Sequence, residues 1–258
     1  MAHVPIKTAR EVDLIRESSR IVAEVLLLVA AHLKPGVAAR DLDAMAEEYI
    51  RSQGGIPAFK GYGHDPRNLF PGTLCVSVND EVVHGIPDGR LLAEGQVVSI
   101  DVGVLKDGYY GDGARSFPVG AVAEDRHRLL AVTEESLVRG IAMARGGAHI
   151  HDVSSAIQQH VESAGFSVVR DLVGHGIGRE LHEEPPVPNF GTPGTGLRLR
   201  AGMVLAIEPM VNAGTHRVAV DRDGWTVRTA DGLPSAHFEH TVLVTGHDPE
   251  ILTTAVPA

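Results

Sequence analysis

The chain has 258 residues, 43% of them hydrophobic and 22% charged, with a formal net charge of −10. That length buries a full core as one large or two small domains, and the acidic balance argues against a broad basic surface for nucleic acid. Cys75 is the single cysteine, which excludes intramolecular disulfides and cysteine-based zinc sites and fits a reducing cytoplasm.

Residues 1–5 lack the charged-then-apolar pattern of a secretory signal. Thr8 and Glu11 form a T-x-x-E capping box, which predicts a helix from there to about residue 33. Its most apolar part contains Glu24 and His32 and falls short of the roughly 20 residues of a membrane span, so a buried helix face is expected and no membrane partner. Lys34-Pro35-Gly36 ends this helix, and a second follows over residues 39–52, closed by Gly54-Gly55. Residues 56–75 are loop-rich but carry Phe59, Tyr62 and Phe70, and a short strand is expected at residues 74–78.

Residues 97–112 read as two strands joined by Asp107-Gly108, the dipeptide that best tolerates the two positive φ angles of a type I′ hairpin. Pairing Lys106 with Tyr109 puts Asp101 opposite Ala114 and makes Asp112 its diagonal neighbour on the same face. Diagonal neighbours lie roughly 7–8 Å apart, close enough for both carboxylates to reach one cation. Without a cation, a carboxylate in an apolar strand is costly to bury. Helices over about residues 124–144 and 152–164 come next. An apolar strand at residues 203–207 then ends in Glu208-Pro209. A last strand, residues 236–242, sets Glu239 on the face opposite Phe238 and Val242.

This order repeats. Lys34-Pro-Gly…Asp41-Leu-x-x-Ala44…Ile50-x-x-x-Gly54 recurs as Arg145-Gly-Gly…Asp152-Val-x-x-Ala156…Val161-x-x-x-Gly165. At nearly the same offset, Gly95-x-Val97-Val98-x-Ile100-Asp101 recurs as Gly202-x-Val204-Leu205-x-Ile207-Glu208. The repeat predicts an α+β fold of duplicated ααββ halves, approximately residues 8–120 and 121–253 of a single catalytic domain. Their strands would merge into a central antiparallel sheet with the helices outside. Glu208 then stands where the first half has Asp101, and sites commonly form where such halves meet.

Any one of Asp101, Asp112, Glu208 and Glu239 alone would be read as an ion pair or turn contact; four of them linked by a repeat point to a site. Gly174-His175-Gly176-Ile177-Gly178 supplies an imidazole from a loop whose glycines permit tight turns. It lacks the Walker lysine and the dinucleotide spacing of a phosphate cradle. One imidazole with four carboxylates suits Mn, Fe, Co or Zn without choosing among them. Four negative charges balance two divalent ions, which in a pair about 3.5–4 Å apart activate water and clamp the oxyanion of a hydrolysed amide. His84-Gly-Ile-Pro87 and His182-Glu-Glu-Pro185 share an H-x-x-P pattern, one in each half. Beside such a site their imidazoles can donate to and accept from substrate or intermediate.

At these residues the chain closely resembles type I methionine aminopeptidases, members of the duplicated pita-bread fold. The matching segments are Asn79-Asp-Glu-Val-Val-His84-Gly-Ile-Pro, Ile100-Asp101-Val, Tyr110-Gly-Asp112, Gly174-His-Gly-Ile-Gly-Arg-Glu-Leu-His182-Glu-Glu-Pro, Ile207-Glu-Pro-Met-Val-Asn-Ala-Gly and Phe238-Glu-His-Thr. The resemblance implies that Asp101 chelates one ion, Asp112 and Glu239 bridge two, and His175 with Glu208 completes the second. Glu208 would double as general base toward the bridging water. His182 would contact the scissile carbonyl, and His84 the substrate nitrogen. Phe59, Tyr62, Phe70, Cys75, Leu181 and Trp225 match the methionine pocket approximately, with ordinary core packing as the competing reading. Residues 64–69 look like an insertion.

The implied activity is removal of the N-terminal methionine of peptides and nascent chains when the second residue is small. The ribosome becomes a candidate partner, and a monomer is expected because no coiled coil or exposed apolar repeat is evident. Two other functions share the fold, Xaa-Pro cleavage and non-catalytic binding. The first normally needs a large extra N-terminal domain, which the residues ahead of the repeat are too few to form. The second should have lost ligands, and all five are present.

Overall fold

In the computed structural model, which describes residues 4–255, the capping box forms as expected. The Glu11 N–H donates to Thr8 Oγ1 at 3.4 Å and the Thr8 N–H donates to Glu11 Oε2 at 2.9 Å, opening α1 (Ala9–His32). The first half continues with α2 (Ala39–Ser52), β1 (Ile56–Pro57), β2 (Leu74–Val78), β3 (Glu81–Val83), β4 (Val97–Lys106) and β5 (Tyr109–Pro118). Then α3 (Glu124–Met143) and α4 (Ile150–Ser163) precede β6 (Ser167–Val168), β7 (Gly174–Gly176), β8 (Glu183–Val187) and β9 (Val204–Ile207). Six short strands complete the chain: β10 (Met210–Asn212), β11 (Val218–Val220), β12 (Val227–Thr229), β13 (Ser235–His237), β14 (His240–Leu243) and β15 (Glu250–Ile251). The fourth helix starts two residues earlier than its pattern suggested, because Asp152 Oδ2 reaches back to the His149 N–H at 2.7 Å and closes a capping box. Among the described residues no helix is long and apolar enough to cross a membrane.

Every strand pairing among the described residues is antiparallel. Asp107 and Gly108 take positive φ, 50° and 80°, as a type I′ turn requires. The hairpin they close has the expected register, Lys106 opposite Tyr109 and Asp101 opposite Ala114. On its other edge β4 pairs with β2, which sets Cys75 beside Asp101. In the second half the order is β15-β14-β9-β7-β8.

Side-chain alternation decides which face each residue serves. Along β4, Val98, Ile100, Val102 and Val104 join one core with Ile21, Val25 and Leu42 of α1 and α2. Along β9, Leu205 and Ile207 join a second core with Leu137, Ile141 and Ile157 of α3 and α4. Full burial of one such side chain contributes about 1.5–3 kcal/mol, so these faces are strongly held against the helices. Asp101 is left on the opposite face, and so is His175, which pairs with Ala206.

Besides the pairing of β3 with β12, the two halves meet through three rungs between β5 and the residues around Glu239. Ala114 and Glu239 exchange backbone hydrogen bonds, the Glu239 N–H donating at 2.8 Å and the Ala114 N–H at 3.4 Å. On one side Ser116 Oγ accepts the His237 N–H at 2.8 Å and donates to the His237 carbonyl at 2.9 Å. On the other, Thr241 Oγ1 accepts the Asp112 N–H at 3.1 Å and donates to the Asp112 carbonyl at 2.7 Å. The final strand expected as one element is therefore two. At Phe238-Glu239 the chain passes from β10, with the Phe238 N–H donating to the Pro209 carbonyl at 3.3 Å, to β9, which pairs Ile207 with His240.

Candidate metal centre and its pocket

Asp112 and Glu239 arrive at this junction from opposite halves, Asp101 is the diagonal neighbour of Asp112, and His175 sits on β7, between β9 and β8 of the second sheet. The glycines flanking His175 have a different purpose from the one expected. They lie in β7 and neither takes a positive φ. A Cβ on Gly174 would overlap the Ala206 carbonyl oxygen, and one on Gly176 the Glu184 carbonyl oxygen. Close strand approach, not turn geometry, requires them.

All five expected ligands come together. One ligand atom each from Asp112, His175 and Glu239 lies within 4.8 Å of the others, a buried group that can hold a metal ion. His175 Nε2 is 3.6 Å from Glu208 Oε1 and 3.9 Å from Asp112 Oδ2. Its Nδ1 lies 2.9 Å from the Gly176 carbonyl oxygen, an acceptor only, so Nδ1 carries the proton and Nε2 turns a lone pair toward the carboxylates. That is the tautomer a metal ligand needs.

The electrostatics ask for a cation. Asp101, Asp112 and Glu239 are buried, and no lysine or arginine among the described residues pairs with them or with Glu208. Burial pushes the Asp101 carboxyl up to about 7. Burial first, and then the neighbouring carboxylates, raise Asp112, Glu208 and Glu239 well above the usual range. Asp101 Oδ1 and Glu239 Oε1 have no hydrogen-bond partner at all. Unpaired buried carboxylate oxygens cost several kcal/mol each unless a positive ion meets them. The donor set, one neutral imidazole and four carboxylates, therefore fits divalent cations of the Mn, Fe, Co and Zn group.

A cavity of about 130 Å³ opens on these ligands. Its apolar wall is Phe59, Phe70, Cys75, Leu181 and Trp225, with Phe70 and Trp225 edge to face at 5.3 Å. Burial and then Asp101 push the Cys75 thiol up, so it stays a neutral wall group. Tyr62 and His182 stand at the mouth, both exposed, with the Tyr62 hydroxyl 2.8 Å from His182 Nδ1. The His182 ring meets His175 edge to face at 4.3 Å. His84 also lines the cavity from a backbone at φ 59°, and burial holds its pKa down to about 4. The pocket residues are at once core and cavity wall, since Phe59, Phe70, Cys75 and Leu181 belong to one apolar cluster.

One residue was missed. His237 is 1% exposed, both its ring nitrogens lack partners, and its Nε2 is 3.7 Å from Glu208 Oε2 and 4.0 Å from Glu239 Oε2. The signal was present in the strand pattern, for His237 and Glu239 are two residues apart and so share a face.

Residues 13–246 match the metallopeptidase family M24. Methionine aminopeptidase 1 of Bacillus subtilis (strain 168) is 51% identical over 247 residues, covering 96% of this chain and 98% of that protein. The crystal structure of a methionine aminopeptidase from Thermotoga maritima superposes with a TM-score of 0.94 at 47% identity, covering 98% of this chain and 100% of that one. A prolidase from Pyrococcus furiosus matches with a TM-score of 0.78 at 22% identity, a likeness of fold alone.

Proposed function

The chain belongs to metallopeptidase family M24 and has its pita-bread fold, and from that premise we propose a methionyl aminopeptidase that removes N-terminal methionine where the second residue is small. The observation that carries this is the single cavity that joins the apolar wall to the cluster of acidic ligands. An unbranched thioether packs well against Phe59, Phe70 and Trp225, since sulfur–aromatic contacts are favourable.

Asp101, Asp112, His175, Glu208 and Glu239 would hold two divalent ions, with Asp112 and Glu239, one from each half, serving both. When bound, such ions supply the positive charge that activates water and stabilises an oxyanion. His182, neutral at pH 7 because partial desolvation lowers its pKa, offers a hydrogen bond to the scissile carbonyl at the mouth. His84, also neutral, contacts the substrate nitrogen. Glu208 takes the proton of the attacking water as the new C–O bond forms, and returns it to the leaving nitrogen as the C–N bond breaks.

Residues 8–253 act as one catalytic domain of two halves, a reading supported by the three rungs that join them. The protein works as a cytoplasmic monomer on peptides and nascent chains, with the ribosome as a candidate partner; sedimentation alone and with ribosomes tests both points. Turnover of Met-Ala-Ser, Met-Leu-Ser and Xaa-Pro peptides, before and after chelation and readdition of single metals, tests the function. Activity retained in fully metal-free protein would sink the mechanism, and preferred Xaa-Pro cleavage would overturn the substrate.

A further inference from the structure

The segment from Ile177 to His182 joins β7 to β8 and delivers Leu181 and His182 to the cavity. Glu183 closes it from behind. Its Oε1 accepts the Arg179 N–H at 2.8 Å and the Glu180 N–H at 3.3 Å, so one carboxylate folds the turn. Its other oxygen pairs with Lys7 Nζ. These two side chains are 4% and 10% exposed, and among the described residues Lys7 is the cation that pairs with Glu183. Lys7 is itself held, its N–H donating to the Gly202 carbonyl at 2.7 Å, and Gly178 has no Cβ where the lysine side chain passes.

From this arrangement we infer that Lys7 is a positioning residue for His182, acting through Glu183. The inference rests on the aminopeptidase reading above. His182 has few holds of its own: a Tyr62 hydroxyl at 2.8 Å and the edge of the His175 ring. Its place is set by the peptide link to Glu183. A carboxylate buried to this depth and deprived of its cation turns toward water, because unpaired buried charge is strongly disfavoured. The turn it folds then moves outward and carries the imidazole with it. Displacement of a catalytic group by about 1 Å can cost roughly 10²-fold in rate.

The test is a double-mutant cycle on Met-Ala-Ser turnover with Lys7→Met, His182→Ala and the pair, all metal-loaded. Lys7→Met lowers kcat roughly 10- to 100-fold with little change in KM. In the His182→Ala background the same change costs no more than about twofold, the ordinary scatter of non-interacting sites. Adding Glu183→Gln to Lys7→Met restores most of kcat, since the amide still accepts the two backbone N–H groups and no buried charge is left unpaired. Amide exchange over residues 178–183 quickens in Lys7→Met, a readout independent of turnover. If Lys7→Met does not fold, Lys7→Arg, which keeps the charge but moves it, enters the same cycle. Losses that multiply in the double mutant, or a Lys7 variant with unchanged kcat, overturn the inference. Absence of Met-Ala-Ser turnover by the unaltered enzyme would instead overturn the aminopeptidase reading.

Discussion

The buried carboxylates and imidazoles of the site make opposite demands on pH, and the two separate above pH 6.5. In the metal-free fold Asp101 is raised to about 7 from an ordinary 3.8, and Asp112, Glu208 and Glu239 are raised well above the usual range. The unfolded chain ionises these groups near pH 4, so above that the native state holds more protons and loses stability as pH rises. His84, His175 and His237 are lowered to about 4, 3 and 3, all chiefly by burial. They charge only in the unfolded chain, below about pH 6.5, and above it add nothing. The displacement of Asp101 alone corresponds to about 4 kcal/mol in total. Above pH 6.5 each carboxyl still protonated in the folded state gives a slope of at most about 1.4 kcal/mol per pH unit. Urea unfolding of chelator-treated protein at pH 6.5, 7.5 and 8.5, followed by circular dichroism, should show a fall of about 1 kcal/mol or more, the part Asp101 alone loses as it ionises around 7, to which any other carboxyl still protonated adds. Saturating Mn or Co should abolish the fall, because the cation replaces the protons. Metal-free stability that is flat or rising across this window would refute the claim that burial keeps these carboxyls protonated.

If Asp112 is shared by two ions, as proposed, Asp112→Ala should weaken both in metal analysis; full occupancy with near-normal activity would contradict the shared role. Glu208→Gln should lower kcat by at least about 10²-fold, the usual contribution of a general base, as measured by peptide turnover with metal content monitored. Trp225→Ala opens the apolar wall beside Phe70 and should raise KM for Met-Ala-Ser by roughly tenfold, consistent with the worth of a few methylenes in a pocket. Thr241→Val keeps the shape but leaves the Asp112 N–H and carbonyl without their hydroxyl partner, which should cost about 1–3 kcal/mol in urea unfolding and weaken metal binding with it.

The hairpin was legible because its causes are local. Asp107-Gly108 determines the turn, the turn determines the register, and the register places Asp101 and Asp112 on one face. The same holds for the first capping box and for the alternation along β9. What could not be read depended on partners distant in the chain. The split at Phe238-Glu239 arises because the backbone it faces is itself broken at Glu208-Pro209, between β9 and β10. The true duty of Gly174 and Gly176 depends on strands that flank them on both sides, which a glycine count does not reveal. His237 shares the strand face of Glu239 but belongs to no H-x-x-P repeat, so its sequence context alone does not mark it.

The junction explains why the site and the fold are hard to separate. Asp101 and Asp112 come from the first half; His175, Glu208 and Glu239 come from the second. Neither set alone would crowd four carboxylates, so the repulsion exists only once the halves dock. The rungs at the site pass through the backbones of Asp112 and Ala114 and the Ser116 hydroxyl on one side, and through the backbones of His237 and Glu239 and the Thr241 hydroxyl on the other. Two of these six residues are the expected shared ligands. At Asp112 and Glu239, then, the backbone helps to join the halves while the side chains push them apart. A cation or a set of protons must resolve that opposition, and at neutral pH a divalent ion does so without neutralising the groups the chemistry requires. A metal bound at the junction would relieve that opposition, which is why substitution of a structural hydroxyl such as Thr241 should be felt at the metal.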